Sequence, residues 1–202
     1  MYHLLNKSLL PKNKQRPIPL YPDDIDIDAF NYLKSYKDNI VTHINNGDNL
    51  YLYGNVAGNG KTSWSIKIML KYFNEIWSGN GFKERAYFIH VPTFLNNLKN
   101  NISNKDEAFE QLKQNLLKVD LVIWDDIAST SLSNYDYSNL LTYIDQRTLS
   151  GLSNIYTGNL NHDELTQAVG ERLSSRIYDY SNVVELKGNS RRGLDGIITN
   201  NK

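Results

Sequence analysis

The stretch LYLYGNVAGNGKTSWS, residues 50–65, decides how this chain is read. It comes within one position of the phosphate-binding pattern G-x-x-x-x-G-K-[ST]: Asn55 stands where the first glycine belongs, and Gly54 comes one residue early. Such a loop works through backbone N–H groups that converge on an anion, which requires a tight turn. Gly58 and Gly60 supply the freedom for it. Asparagine tolerates left-handed backbone better than other non-glycine residues, so Asn55 is compatible with the turn. The candidate phosphate-binding residues are Asn55, Val56, Ala57, Gly58, Asn59, Gly60, Lys61, Thr62 and Ser63. Lys61 would reach the β- and γ-phosphates of a nucleotide, and Thr62 would place its hydroxyl on Mg²⁺.

Both flanks fit. NLYLY (49–53) reads as a buried strand. Ile66, Met69, Leu70, Phe73, Ile76 and Trp77 fall on one face of a long helix starting near Lys61, whose positive dipole end would favour an anion. Upstream, Phe30, Leu33, Ile40 and Ile44 predict one helix that stops near Gly47. Downstream, AYFIHV (86–91), DLVIWDD (120–126), SNIYTGN (153–159) and NVVELK (182–187) read as four more strands, separated by helical periodicities. Phe94, Leu95, Leu98 and Ile102 predict one of those helices, Asn104 and Glu107 a capping box for the next, and Asn161 and Glu164 the cap of a short one. Strands alternating with helices imply an α/β fold, a parallel sheet covered on both faces, with ligands bound beyond the carboxyl ends of the strands.

DLVIWDD delivers two carboxylates to such an end. Asp125 would accept the Mg²⁺ water shell, and Asp126 would orient or deprotonate an attacking water. The pair follows the loop by some 60 residues, on another strand of the same sheet.

Composition sets the remaining bounds. At 202 residues the chain is long enough for one well-buried domain. Net charge is zero, so any nucleic-acid surface must be local. There is no cysteine, which excludes disulfides and cysteine-based zinc sites and fits a cytoplasmic protein. No apolar run approaches membrane-spanning length, so no membrane partner is expected. Four of the five prolines fall in the first 22 residues among Lys7, Lys12, Lys14 and Arg16. Residues 1–24 therefore read as an extended basic arm that either packs on the domain or docks a partner, ahead of a domain over 25–196 and a tail over 197–202.

The order of the loop, VIWDDI, IYTGNL, GERLSSRI and VVELKGNSRRG resembles the AAA+ ATPases of the bacterial and phage replicative-helicase loader type, the DnaC/DnaI group, over about residues 25–195. The resemblance implies a P-loop NTPase core with a five-stranded parallel sheet of order 5-1-4-3-2 and no C-terminal helical lid. It implies ATP and Mg²⁺ as cofactors, and ATP hydrolysis at the interfaces of a homo-oligomer. Its partners would be the replicative helicase and single-stranded DNA. Asn159 matches the first sensor, Arg176 the arginine finger that reaches a neighbouring subunit's nucleotide, and Arg192 the second sensor, with Arg191 as its rival. Lys61, Asp126, Asn159, Arg176 and Arg192 form the implied catalytic set, and Thr62 and Asp125 the metal site. Many such ATPases carry glutamate where Asp126 stands, so slow turnover is expected. The helices over about 92–118 resemble the insertion that faces single-stranded DNA, offering Lys99, Lys105, Lys113, Asn96, Asn97, Asn100 and Asn101. The related transposition ATPases of the IstB group, and a non-hydrolysing ATP-binding module acting on the helicase or its loader, are the alternatives.

Overall fold

The computed structural model describes residues 2–15, 19–22, 24–76 and 83–190. In chain order its elements are α1 (Tyr2–Lys7), α2 (Ile27–Asp38), α3 (Ile40–Asn46), β1 (Asn49–Tyr53), α4 (Lys61–Ile76), β2 (Ala86–His90), α5 (Val91–Ser103), α6 (Glu107–Leu116), β3 (Leu121–Asp125), α7 (Asn134–Leu149), β4 (Ser153–Thr157), α8 (His162–Val169), α9 (Glu171–Tyr178) and β5 (Ser181–Glu185). All four strand pairings are parallel and the order is β2-β3-β4-β1-β5, the order the family resemblance implies, read from the other edge.

The alternation of strand side chains divides the core in two. Leu50, Leu52, Phe88, Ile123 and Ile155 face one way and pack with residues of α1 to α4. Tyr51, Tyr87, Ile89, Val122, Trp124 and Tyr156 face the other way and pack with α5 to α9. β3 and β4 are buried along their whole length; β3 accordingly reads as a near-continuous apolar run, whereas β4 buries the polar Ser153, Asn154 and Thr157.

Four local expectations are corrected. The helix expected through Phe30 to Ile44 is two helices, broken at Asn39, whose side chain donates to Ser35 O at 2.9 Å and competes with the helical ladder. The cap of α6 is Asp106, not Asn104: its carboxylate accepts from Ala108 N at 2.9 Å. Ile102 is 65% exposed and lies off the buried face of α5. The N-terminal segment is not extended throughout. Residues 2–7 form α1, and Leu4, Leu5 and Leu10 are buried. Ser8 O accepts the Phe88 amide at 2.7 Å on β2, an edge strand, so the segment covers a sheet edge that would otherwise expose unpaired donors. The prolines begin only at Pro11, so α1 lies ahead of them, and burial of the leucines beside the open edge decides the segment. Among the described residues no helix is long and apolar enough to cross a membrane.

Candidate nucleotide site

The loop after β1 leaves the sheet between β4 and β5, beyond the carboxyl ends of the strands. Gly54 has φ 153°, and a Cβ there would lie 2.1 Å from Leu186 O. The crowding comes from the end of β5, where Leu186 N donates to Tyr53 O at 2.7 Å. The early glycine is thus the one this backbone needs. Asn55 is not among the described residues with positive φ, so its tolerance of left-handed backbone is not used. Gly58 and Gly60 do have positive φ, 84° and 111°.

Val56, Ala57 and Gly58 make the crest of the loop, and Ser63 follows Thr62 in the first turn of α4. Asn59 is buried and donates to Leu186 O at 2.6 Å, fastening the loop to the end of β5. Lys61 is held inside the loop: Nζ donates to Gly54 O at 2.6 Å, Asn59 Oδ1 at 3.0 Å and Val56 O at 3.1 Å.

Across the sheet, β4 lies between β1 and β3, and Thr157 at its end pairs in register with Leu52. This places the Thr157 hydroxyl beside the end of β3. Thr62 Oγ1 and Thr157 Oγ1 both donate to Asp125 Oδ1 at 2.8 Å. Asp125 is buried, and two hydroxyls on one oxygen fix its plane. Asp126 turns away into left-handed backbone, φ 64°, with its amide donating to Thr157 Oγ1 at 3.0 Å. Its carboxylate is 41% exposed, with Oδ2 3.9 Å from His90 Nε2 at the end of β2.

The structure therefore brings Lys61, Thr62, Asp125 and Asp126 to one end of the sheet. Two neighbours were not assigned from the sequence. For Thr157, a hydroxyl at the end of the strand between the loop and the aspartates was the available signal. His90 carried none, since strand order decides what lies beside Asp126. Asn159 is exposed in the turn after β4. Arg176 lies on α9 and is ion-paired with Asp145 of α7. Arg191 and Arg192 lie outside the described residues.

The α5–α6 insertion is less open than expected. Lys99 Nζ donates to Asp136 Oδ2 at 2.8 Å, Lys113 pairs with Glu110 at 2.7 Å, and Asn101 is buried, receiving the Asp106 amide at 2.8 Å. Beside it, a cavity of about 440 Å³ runs from Leu9, Pro11 and Lys14 past Phe88, Phe94 and Phe109 to His90 and Asp125.

The family model described as IstB-like ATP binding protein matches residues 28–195, nearly all of the sheet and its helices. The chain belongs to the IstB-like ATP-binding proteins. The curated replicative helicase loader DnaC of Escherichia coli (strain K12) is 26% identical over 149 residues, covering 74% of this chain and 55% of that protein. The chain thus spans about half the length of the curated relatives it matches. Among solved structures, the DnaC helicase loader superposes with a TM-score of 0.72 at 18% identity, covering 88% of this chain and 100% of that one. DnaI gives 0.69 at 20% identity, covering 89% and 95%. The replication initiator DnaA bound to AMPPCP and single-stranded DNA gives 0.64 at 19% identity, covering 90% and 51%. These likenesses place this IstB-like protein in the AAA+ P-loop fold expected from its motifs.

Proposed function

We propose that this IstB-like protein is a Mg²⁺-dependent ATPase of DNA replication, a loader of the replicative helicase that binds ATP between subunits of a homo-oligomer in the cytoplasm. The observation that carries the reading is the contact of Thr62 and Asp125 beneath the loop. A hydroxyl from the start of α4 and a carboxylate from the end of β3 that meet in this way are donors for a magnesium ion that keeps most of its waters and takes its other oxygens from phosphate. Magnesium rarely uses an all-protein cage, and among the described residues no cluster of three acids or histidines competes for it.

The residues fit the nucleotide as well. Lys61 donates to loop oxygens where β- and γ-phosphate oxygens would take over its hydrogen bonds. Bound magnesium would neutralise charge on those phosphates. Asp126 stands clear of the metal pair and would take the proton of an attacking water. Asn159 would orient that water or sense the γ-phosphate, and Arg176, with Arg192, would stabilise charge developing on the phosphoryl oxygens. Catalysis would be positioning and charge stabilisation, with in-line attack of water on the γ-phosphorus.

The likeness to DnaC supports the helicase as partner, and the DNA-bound DnaA of the same fold supports a single-stranded DNA surface on this chain. With Lys99 and Lys113 engaged in ion pairs, Lys105, Asn96, Asn97 and Asn100 carry that assignment on the insertion. The family description favours a second reading, an ATPase that serves a transposase. Pull-down of purified replicative helicase and of transposase, each with and without ATP, separates the two. ATP-dependent capture of helicase is expected; capture of transposase alone contradicts the loader reading.

A further inference from the structure

Arg176 is held by one acid, Asp145. Asp145 lies on α7, and its side chain is 14% exposed. Arg172 and Arg176 lie four residues apart on α9, one helical turn, and both reach it. Arg172 Nη2 donates to Oδ2 at 2.8 Å, and Arg176 Nε donates to Oδ1. The ring of Tyr180 lies 4.9 Å from the Arg176 guanidinium carbon. The guanidinium is thus gripped by Asp145 along one edge and by Tyr180, through its ring and hydroxyl, while a guanidinium as a whole carries the fork of donors that meets a phosphate.

We propose that Asp145 is a positioning residue for Arg176, orienting it before a neighbouring subunit's nucleotide arrives. The inference rests on the ATPase reading and adds a residue to it. A long arginine loses rotamer entropy when it is fixed in place. If the loss falls in folding, it does not recur in the transition state, which is the general advantage of a preorganised charge. The second arginine on Oδ2 serves the same end. With both oxygens engaged, the carboxylate cannot rotate away, and it stays ionised: burial raises its pKa, but the bonds from Arg176 and Arg172 outweigh burial and hold it below the usual range.

The test uses full-length protein, Mg-ATP and an oligo(dT) strand. ATP turnover and nucleotide affinity are measured for wild type, Asp145→Ala, Asp145→Glu, Arg176→Ala and Lys61→Ala, and for an equimolar mixture of Asp145→Ala with Lys61→Ala. Asp145→Ala should lower turnover at least about tenfold, a fraction of what a trans-acting arginine supplies, with nucleotide affinity within about twofold. Asp145→Glu should restore part of it. The mixture should exceed the sum of its components, because a Lys61→Ala subunit lends an intact Arg176 to the sound loop of an Asp145→Ala neighbour. A mixture no more active than its parts assigns Asp145 to packing α7 on α9 and overturns the proposal. Higher turnover in Asp145→Ala also overturns it, making the carboxylate a restraint. If wild type does not turn over, the ATPase reading itself falls and takes this inference with it; if wild type turns over and Arg176→Ala matches it, the ATPase reading stands and this inference alone is overturned.

Discussion

The hydroxyl of Thr62 and the carboxylate of Asp125, 63 residues apart in sequence, meet at 2.8 Å beneath the phosphate loop. Neither α4 nor β3 alone produces this contact. It exists because β4 spaces β1 from β3 by one strand and the turn at Gly60 aims the first residues of α4 back over the sheet. Thr62→Ala should therefore weaken nucleotide binding at least about tenfold, or 1.4 kcal/mol, in the presence of Mg²⁺. With the metal chelated, the variant and wild type should bind alike. Calorimetric titration under both conditions checks this.

The early glycine has its own signature. Gly54→Ala places a methyl group 2.1 Å from Leu186 O in backbone that side chains rarely adopt. It should cost about 1–3 kcal/mol of stability and most of the nucleotide affinity. Asn55→Gly restores the consensus but relieves no strain, so it should leave affinity within about twofold. Thermal melts and a nucleotide titration on both variants distinguish the two positions.

Arg147 is fully buried, and among the described residues its bonds go to neutral groups: Asn154 Oδ1, and the carbonyls of Leu116, Val119 and Ser153. Burial pushes its pKa down to about 10, so it is still charged at neutral pH. Arg147→Met leaves three buried carbonyls unpaired by it and should cost at least about 3 kcal/mol in urea denaturation. Nucleotide affinity of the folded fraction should not change, since the residue sits at the opposite end of the sheet from the loop.

Two acids predict the acid limb of stability. Burial raises the pKa of Asp136, but its bonds from Lys99 and Ser133 prevail and hold it below 3.8; Asp145 is lowered in the same way by its two arginines. A depressed carboxyl stabilises the fold above its unfolded pKa, and that stabilisation is lost as pH falls through the folded value. Stability should thus drop as pH falls below about 3.8, and Asp136→Asn or Asp145→Asn should flatten that drop while lowering stability at neutral pH. Urea midpoints measured from about pH 2 to about pH 6, on both sides of the carboxylate pKa, check it.

The N-terminal segment should behave as part of the core. Leu10 is 4% exposed, and Leu10→Ala should cost about 2–4 kcal/mol. The amide of Phe88, held by Ser8 O, should exchange slowly with solvent in the wild type and fast once residues 1–10 are removed. Rapid exchange in the intact chain contradicts the covered edge.

Strand boundaries and the phosphate loop were legible because they depend on local pattern: buried apolar runs, glycines at turns, and a lysine and threonine at a helix start; the strand order came only with the family resemblance those motifs carry. What was not legible depends on neighbours far apart in the chain. Thr157 and His90 acquire their places from strand order. The break at Asn39 depends on one side chain that reaches back to Ser35. The α1 segment was hidden by prolines that outvoted its leucines, and the ion pairs of Lys99 and Lys113 by the ordinary expectation that lysines face water.

The central claim is that this pocket takes a triphosphate with magnesium. Equilibrium titration of the full chain with a fluorescent ATP analogue, with Mg²⁺ and again with chelator, tests it most directly, alongside Lys61→Ala and Asp125→Ala. Saturable uptake by wild type that depends on Mg²⁺ and is lost in Lys61→Ala is the predicted result. Uptake that is absent, or equal in wild type and Lys61→Ala, contradicts it.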